Sequence, residues 1–195
     1  MMNCTEILMA KDKMEEECGV FGIYSKEVNE VAQITYYGLY ALQHRGQESA
    51  GISVSNFGEI VTYKGMGLTA DVFTPETLNN LVGNAAIGHV RYSTTGASKL
   101  ENAQPLESRY KLGQIAVAHN GNLTNAKIIR ELLEDAGSTF NTSIDSEVII
   151  KMIARKANGN VEDAIRSTVG AIKGAYALVI LAGNKLVGVR DPYGI

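Results

Sequence analysis

The chain has 195 residues, room for one well-filled domain and too few for two large ones. Hydrophobic residues make up 45% and charged residues 20%, a balance that excludes a disordered chain. The net charge is −3, no basic stripe occurs, and no apolar run approaches the roughly 20 residues that span a bilayer, so neither nucleic acid nor membrane is expected as a partner.

Residues 1–17 are polar and lack an apolar face. Ile7-Leu8-Met9-Ala10 is too short for the apolar region of a secretory signal, and charged residues follow it where small ones would stand. This stretch reads as a leader outside the core, and the protein as cytoplasmic. The two cysteines, Cys4 and Cys18, form no CxxC and are too few for a cysteine-only zinc site.

Organised sequence starts at Cys18. Cys18 to Tyr24 is a short apolar run, read as a strand. Val28 to His44 has apolar residues at helical spacing (Val31, Ile34, Leu39, Leu42) and reads as a helix. Ser49–Val54 and Glu59–Lys64 are two strands around a hairpin turn at Asn56-Phe57-Gly58. A short helix over 75–81 opens with proline after Thr74. Asn84 to Tyr92 is a buried strand, and Leu112 to His119 is another, ending at the turn dipeptide Asn120-Gly121. Asn125 to Ala136 is helical and stops at Gly137. Ser143 or Asp145 caps a helix to about Ala157, and Val161 to Ile172 is one more. Ala175–Leu181 and Lys185–Val189 are strands joined at Gly183-Asn184. Hairpin pairs with helices bunched between them indicate an α+β fold with antiparallel sheets.

Taken one at a time, the candidate chemical groups are ambiguous. A lone cysteine is usually a small buried hydrophobe, but Cys18 stands where leader meets first strand, with uncrowded Gly19 after it. Arg91 ends a strand beside hydroxyl residues and suits a carboxylate, or is an ordinary surface arginine. Asn120 and Gly121 offer an amide side chain and an unhindered N–H for an oxyanion, or form a plain turn. Asp145 suits an ammonium group, or serves only as a helix cap. His44, His89 and His119 match no metal-ligand spacing and read as core or turn residues, and Tyr36, Tyr37 and Tyr40 as packing.

Together the segments are far more specific. Cys18-Gly-Val-Phe-Gly22, Leu42-Gln-His-Arg-Gly-Gln-Glu-Ser-Ala-Gly51, Gly88-His-Val-Arg-Tyr-Ser-Thr-Thr-Gly96, Ala118-His-Asn-Gly-Asn-Leu123 and Asp145-Ser-Glu147 resemble, in order, the glutaminase domain of class II glutamine amidotransferases, which are N-terminal-nucleophile (Ntn) hydrolases. Within that class the words around Arg45 and Tyr92 are most similar to the amidophosphoribosyltransferase branch. The aminosugar-phosphate synthase branch is the alternative, as is an unprocessed, catalytically silent chain.

The resemblance implies a four-layer αββα sandwich of antiparallel sheets over residues 18–195, with 1–17 a propeptide and a phosphoribosyltransferase domain to follow. It implies that Cys18 is the nucleophile after self-cleavage, with Asn120 and Gly121 as the oxyanion hole. Arg91 and Thr94 would meet the glutamine carboxylate, Asp145 its ammonium, and Arg45 and Tyr92 would shape the pocket. It implies no cofactor in this stretch. Mg2+, a possible [4Fe-4S] cluster and phosphoribosyl pyrophosphate belong to the part that follows, and the full-length protein would be a homo-oligomer.

Overall fold

The computed structural model describes residues 18–92 and 98–194. Eight strands and six helices run in the order β1 (Gly19–Asn29), α1 (Val31–Ala41), β2 (Ser49–Asn56), β3 (Glu59–Met66), α2 (Thr69–Val72), α3 (Pro75–Asn80), β4 (Gly83–Arg91), β5 (Leu106–Tyr110), β6 (Gly113–Leu123), α4 (Ala126–Asp135), α5 (Ser146–Lys156), α6 (Val161–Val169), β7 (Gly174–Ala182) and β8 (Lys185–Arg190). Two antiparallel four-stranded sheets result, ordered β1-β4-β2-β3 and β5-β6-β7-β8.

The alternation of side chains along the central strands makes four layers. In β4, Ala86 and Val90 pack with Val31 and Leu39 of α1, while Ala85 and Ile87 face the other sheet. In β6, Ile115 and Val117 pack against α5 and α6, while Ala116 and Ala118 meet Ala85, Ile87 and Leu181 in the seam. Both faces of both central strands are covered, which is why these stretches read as continuous apolar runs. The order of layers is therefore helices, sheet, sheet, helices, as the motifs imply.

Several boundaries differ from the sequence reading. The first helix spans Val31–Ala41, and a separate 3-10 turn covers Gln43–Arg45. Its buried face is Val31, Ala32, Thr35 and Leu39, whereas Ile34 is exposed. Small residues decide that rotation. A Cβ on Gly38 would come within 2.5 Å of the Phe21 ring, and one on Gly88 within 2.6 Å of Thr35. Helix and sheet thus approach through glycine and threonine rather than through Ile34.

The larger correction concerns Asn120-Gly121. It is no turn: β6 runs through it to Leu123, paired with β7 from Ile115↔Ala182 to Leu123↔Gly174. Strand β5 and the one-turn helix α2 are additional elements. The Phe57-Gly58 turn is as expected, both residues having positive φ (49° and 108°), the geometry that matches strand twist in a two-residue hairpin. Thr74 caps α3 through its hydroxyl, which accepts from the Thr77 N–H.

Candidate active site

Cys18 stands at the head of β1 with φ +53°, a left-handed conformation rare outside glycine and concentrated at functional sites. Its backbone carbonyl is gripped from two sides. The Arg45 Nε donates to it at 2.8 Å, and the Asn120 Nδ2 at 3.4 Å. The thiol lies 3.8 Å from the Tyr92 carbonyl. Arg45 comes from the 3-10 turn after α1, Tyr92 from the end of β4, and Asn120 from the opposite sheet. The seam therefore assembles three segments far apart in sequence around one cysteine.

The lateral edge of β6 explains the rest. Strand β5 pairs with β6 only from Tyr110↔Gly113 to Leu106↔Val117 and then leaves. Odd-numbered residues of β6 turn their N–H and C=O groups to this edge. Beyond Val117 the edge is finished by side chains. The His119 N–H donates to the Gln104 Oε1 at 2.8 Å, and the Leu123 N–H donates to the Asp145 Oδ2 at 2.9 Å. Between them, by the same alternation, the Gly121 N–H faces the edge that β5 vacates. Gly121 has φ +131°, and a Cβ there would stand 2.1 Å from the Ala175 carbonyl oxygen in β7. Only glycine fits, and the reason is close packing of two strands.

Asp145 is the residue before α5 but makes no side-chain cap. Its carboxylate instead holds Leu123 and lies 3.6 Å from the His119 Nδ1, which also contacts the Ser146 hydroxyl at 3.0 Å. Burial acts to raise the Asp145 carboxyl. The hydrogen bond and charge of His119, with the Leu123 and Ser146 backbone donors, outweigh it and hold the group below the usual aspartate value. Asp145 is thus an anion at neutral pH.

Arg91 is buried, and its Nη1 meets the Glu48 Oε1 at 2.5 Å. The strand pairing Ser49↔Arg91 puts the two together. Glu48 escaped the sequence reading because its partner is 43 residues away. His89 and His119 are fully buried core residues, as expected, and His44 is exposed in the 3-10 turn. The His89 Nε2 donates across the seam to the His119 carbonyl at 3.1 Å. Burial first, with the positive surroundings of His119, Arg91 and Lys64, pushes its pKa down to about 3 against the help of that bond. Of the three tyrosines expected to be packing residues, only Tyr36 packs against the core, edge-on to Phe73, whereas Tyr37 and Tyr40 touch the Tyr36 ring but are exposed. Thr94 and Cys4 lie outside the described residues.

A cavity of about 20 Å³ lies against Cys18, Tyr92, Gly121 and Asp145. It shares Ile144 and Asp145 with a cleft of about 660 Å³ beside it. Among the described residues no group of three or more His, Cys, Asp or Glu is placed to hold a metal ion. No described helix is long and apolar enough to cross a membrane. The constellation is a thiol beside an amide donor and an exposed backbone N–H, with an anionic carboxylate two strand residues further along. Such a set is suited to acyl transfer from a substrate with an ammonium group.

The pattern of the family described as "Glutamine amidotransferase domain" matches residues 89–195. Amidophosphoribosyltransferase of Methanothermobacter thermautotrophicus is 48% identical over 191 residues, covering 96% of this chain and 40% of that protein. The enzyme of the same name from Methanocaldococcus jannaschii is 51% identical over 180 residues, covering 91% and 38%. In the solved structure of the glutamine phosphoribosylpyrophosphate amidotransferase from B. subtilis complexed with ADP and GMP, the matched part has a TM-score of 0.82 at 44% identity, covering 90% of this chain and 37% of that one. The chain thus spans about two fifths of the length of these relatives. The α+β sandwich is the Ntn-hydrolase domain fold of that enzyme. With 107 of its 195 residues inside the matched pattern (89 to 195), the chain belongs to the glutamine amidotransferase domain family.

Proposed function

We propose that this domain hydrolyses glutamine to glutamate and ammonia through a thioester on Cys18, and that it is the glutaminase part of an amidophosphoribosyltransferase. The observation that carries the reading is the grip of Arg45 and Asn120 on the Cys18 carbonyl beside the open Gly121 N–H. A nucleophile and two oxyanion donors are held within one seam.

Cleavage of the Glu17–Cys18 bond gives Cys18 a free α-amine. An α-amine has a pKa of about 8 and a thiol about 8.5, so the amine serves as base for its own thiol near neutral pH. This accounts for a site whose histidines stay off the thiol. His89 and His119 are tied to carbonyl, hydroxyl and carboxylate groups instead. The thiolate attacks the side-chain carbonyl carbon of glutamine. The Asn120 amide and Gly121 N–H take the developing oxyanion, each donor being worth about 3–4 kcal/mol in comparable sites. Ammonia leaves with the proton held by the amine, and water then releases glutamate from the thioester.

Asp145 takes the substrate ammonium and Arg91, with Thr94, its carboxylate. Glu48 keeps the Arg91 guanidinium oriented, so that a second carboxylate meets it from one side only. In the full-length protein the ammonia displaces pyrophosphate from phosphoribosyl pyrophosphate, giving phosphoribosylamine for purine synthesis in the cytoplasm. Mg2+ and any [4Fe-4S] cluster are assigned to the part beyond residue 195, and the full-length enzyme to a homo-oligomer.

The intact mass after exposure to a glutamine-analogue diazoketone tests the reading. A mass starting at Cys18 with one adduct is expected. A processed protein that takes no adduct and releases no ammonia from glutamine refutes it.

A further inference from the structure

We propose that Gln104 is a positioning residue of the glutaminase site, whose side-chain amide replaces the missing strand opposite His119 and so fixes the peptide that carries Asn120. This rests on the glutaminase reading above. The register Leu106↔Val117 of β5 and β6 puts residue 104 opposite residue 119. There the chain has already turned away: the Gln104 carbonyl lies against β2, where a Cβ on Gly51 would come within 2.2 Å of it. The backbone of residue 104 therefore serves the other sheet, and its side chain completes this one.

The amide does so with both of its atoms. The Oε1 accepts from the His119 N–H at 2.8 Å and the Nε2 donates to the His119 carbonyl at 3.3 Å. That carbonyl also receives the His89 Nε2 at 3.1 Å. It belongs to the peptide whose nitrogen is that of Asn120, so two buried side chains set the plane from which the Asn120 amide and the next N–H project. The brace stops at His119, two residues short of Gly121, leaving that N–H clear for a substrate oxygen. A backbone strand continued along this edge would present its own carbonyl there and occupy the donor.

A built-in control exists. Gln114 makes the same pair of bonds to a different residue: the Ile60 N–H donates to its Oε1 at 3.0 Å, and its Nε2 donates to the Ile60 carbonyl at 3.3 Å. It lies five residues down β6, about 16 Å from His119 at strand rise. A purely structural loss of two hydrogen bonds is common to both sites, and a loss of oxyanion geometry belongs to Gln104 alone.

The test uses the full chain, with removal of residues 1–17 verified by mass and rates normalised to titrated thiol. Gln104→Met is expected to lower kcat for glutamine hydrolysis about 10- to 100-fold while KM stays within about threefold, because only the transition state uses the donors. Gln114→Met is expected to leave kcat within about twofold. Equal losses in the two variants, or an unchanged kcat in Gln104→Met, overturn the proposal. Should Gln104→Met not fold, Gln104→Glu keeps the acceptor for the His119 N–H and loses the donor to its carbonyl. A wild-type kcat in that variant is equally fatal. Amide exchange supplies an activity-independent readout. The His119 amide is expected to be protected like that of Val117, and an unprotected His119 amide in the wild type refutes the brace. Wild-type protein that is protected there but inert toward glutamine would instead sink the glutaminase reading.

Discussion

Replacing Gly121 by alanine tests the site at its tightest point. The residue has φ +131°, where an L side chain is strained by about 1–3 kcal/mol. Its added Cβ would stand 2.1 Å from the Ala175 carbonyl oxygen and 2.8 Å from the Tyr176 Cα. Both are backbone atoms of β7, so no side chain can swing aside. An ordinary contact begins at 3.4 Å, so the strands must separate by at least about 1.3 Å, and overpacking of that kind costs about 1–3 kcal/mol more. The two together lower stability by about 2–6 kcal/mol, and at about 2–4 °C per kcal/mol for a domain of this size the melting temperature falls by at least several degrees. The same displacement carries the Gly121 N–H out of reach, so glutamine hydrolysis is expected to fall by about 10²–10³-fold in the fraction that remains folded. Thermal denaturation followed by circular dichroism and ammonia release per titrated thiol measure the two effects. Gly113→Ala separates strain from clash, since that residue also has positive φ (119°) but nothing within 4 Å of a new Cβ. It should lose stability modestly and keep its activity. A Gly121→Ala protein that melts with the wild type and hydrolyses glutamine at a normal rate would refute the packing argument.

Other outcomes follow from the charged groups. Arg91→Met leaves Glu48 as a largely buried carboxylate without this partner, and is expected to destabilise by about 3–5 kcal/mol in urea titrations while raising KM for glutamine. Asp145→Asn keeps an acceptor for the Leu123 N–H but loses the charge, so KM should rise by about 10²-fold with a smaller change in kcat. The folded Asp145 pKa lies below the ordinary 3.8. Its stabilisation is therefore present above that value and lost as pH falls through the folded one, and Asp145→Asn should flatten the stability curve only in that acid window. His89 acts in a different window. Unfolded, it binds a proton below about 6.5, while folded it stays neutral down to about 3, so stability falls as pH drops through that interval. His89→Gln should remove this slope, and a wild-type slope in the variant would count against a buried neutral imidazole.

Much of this was legible in the sequence because its period is enforced by burial. Strand β4 is buried at every position from Gly83 to Arg91, and the short apolar stretch Ala85-Ala-Ile-Gly88 announces it although Asn84, His89 and Arg91 are polar. Strand β5 leaves no apolar signal in the sequence because Leu106-Glu-Ser-Arg-Tyr110 buries only its first residue and alternates charge with partial exposure. Asn120-Gly121 reads as a turn yet lies within β6, for a physical reason. Glycine serves tight turns and close strand contacts alike, and only the Ala175 carbonyl in β7 reveals which is meant. Cys18, Arg45 and Asn120 were found through ordered motifs, and the structure brings them into contact. Glu48 and Gln104 were not singled out. Their roles depend on pairings between distant strands, and a side chain that imitates a backbone leaves no periodic trace.

The site also depends on how closely the two sheets approach. Cys18 heads a strand of one sheet, and Asn120 and Gly121 belong to the other. The distance between them is set by the seam, where Ala85, Ala116 and Ala118 keep the sheets close. Ala118 shares a face of β6 with Asn120, one strand repeat away. Ala118→Val adds two methyl groups to a position with no exposed surface, costing about 1–3 kcal/mol in overpacking. The sheets relieve the crowding by moving apart, which lengthens the 3.4 Å contact between Asn120 and the Cys18 carbonyl. Activity is then expected to fall by about tenfold or more although no reacting residue has changed. Ala86→Val is the matching substitution on the opposite face of β4, buried against α1 rather than in the seam. It should cost similar stability and leave hydrolysis intact. Equal effects on hydrolysis from the two would mean that the seam spacing does not govern the site.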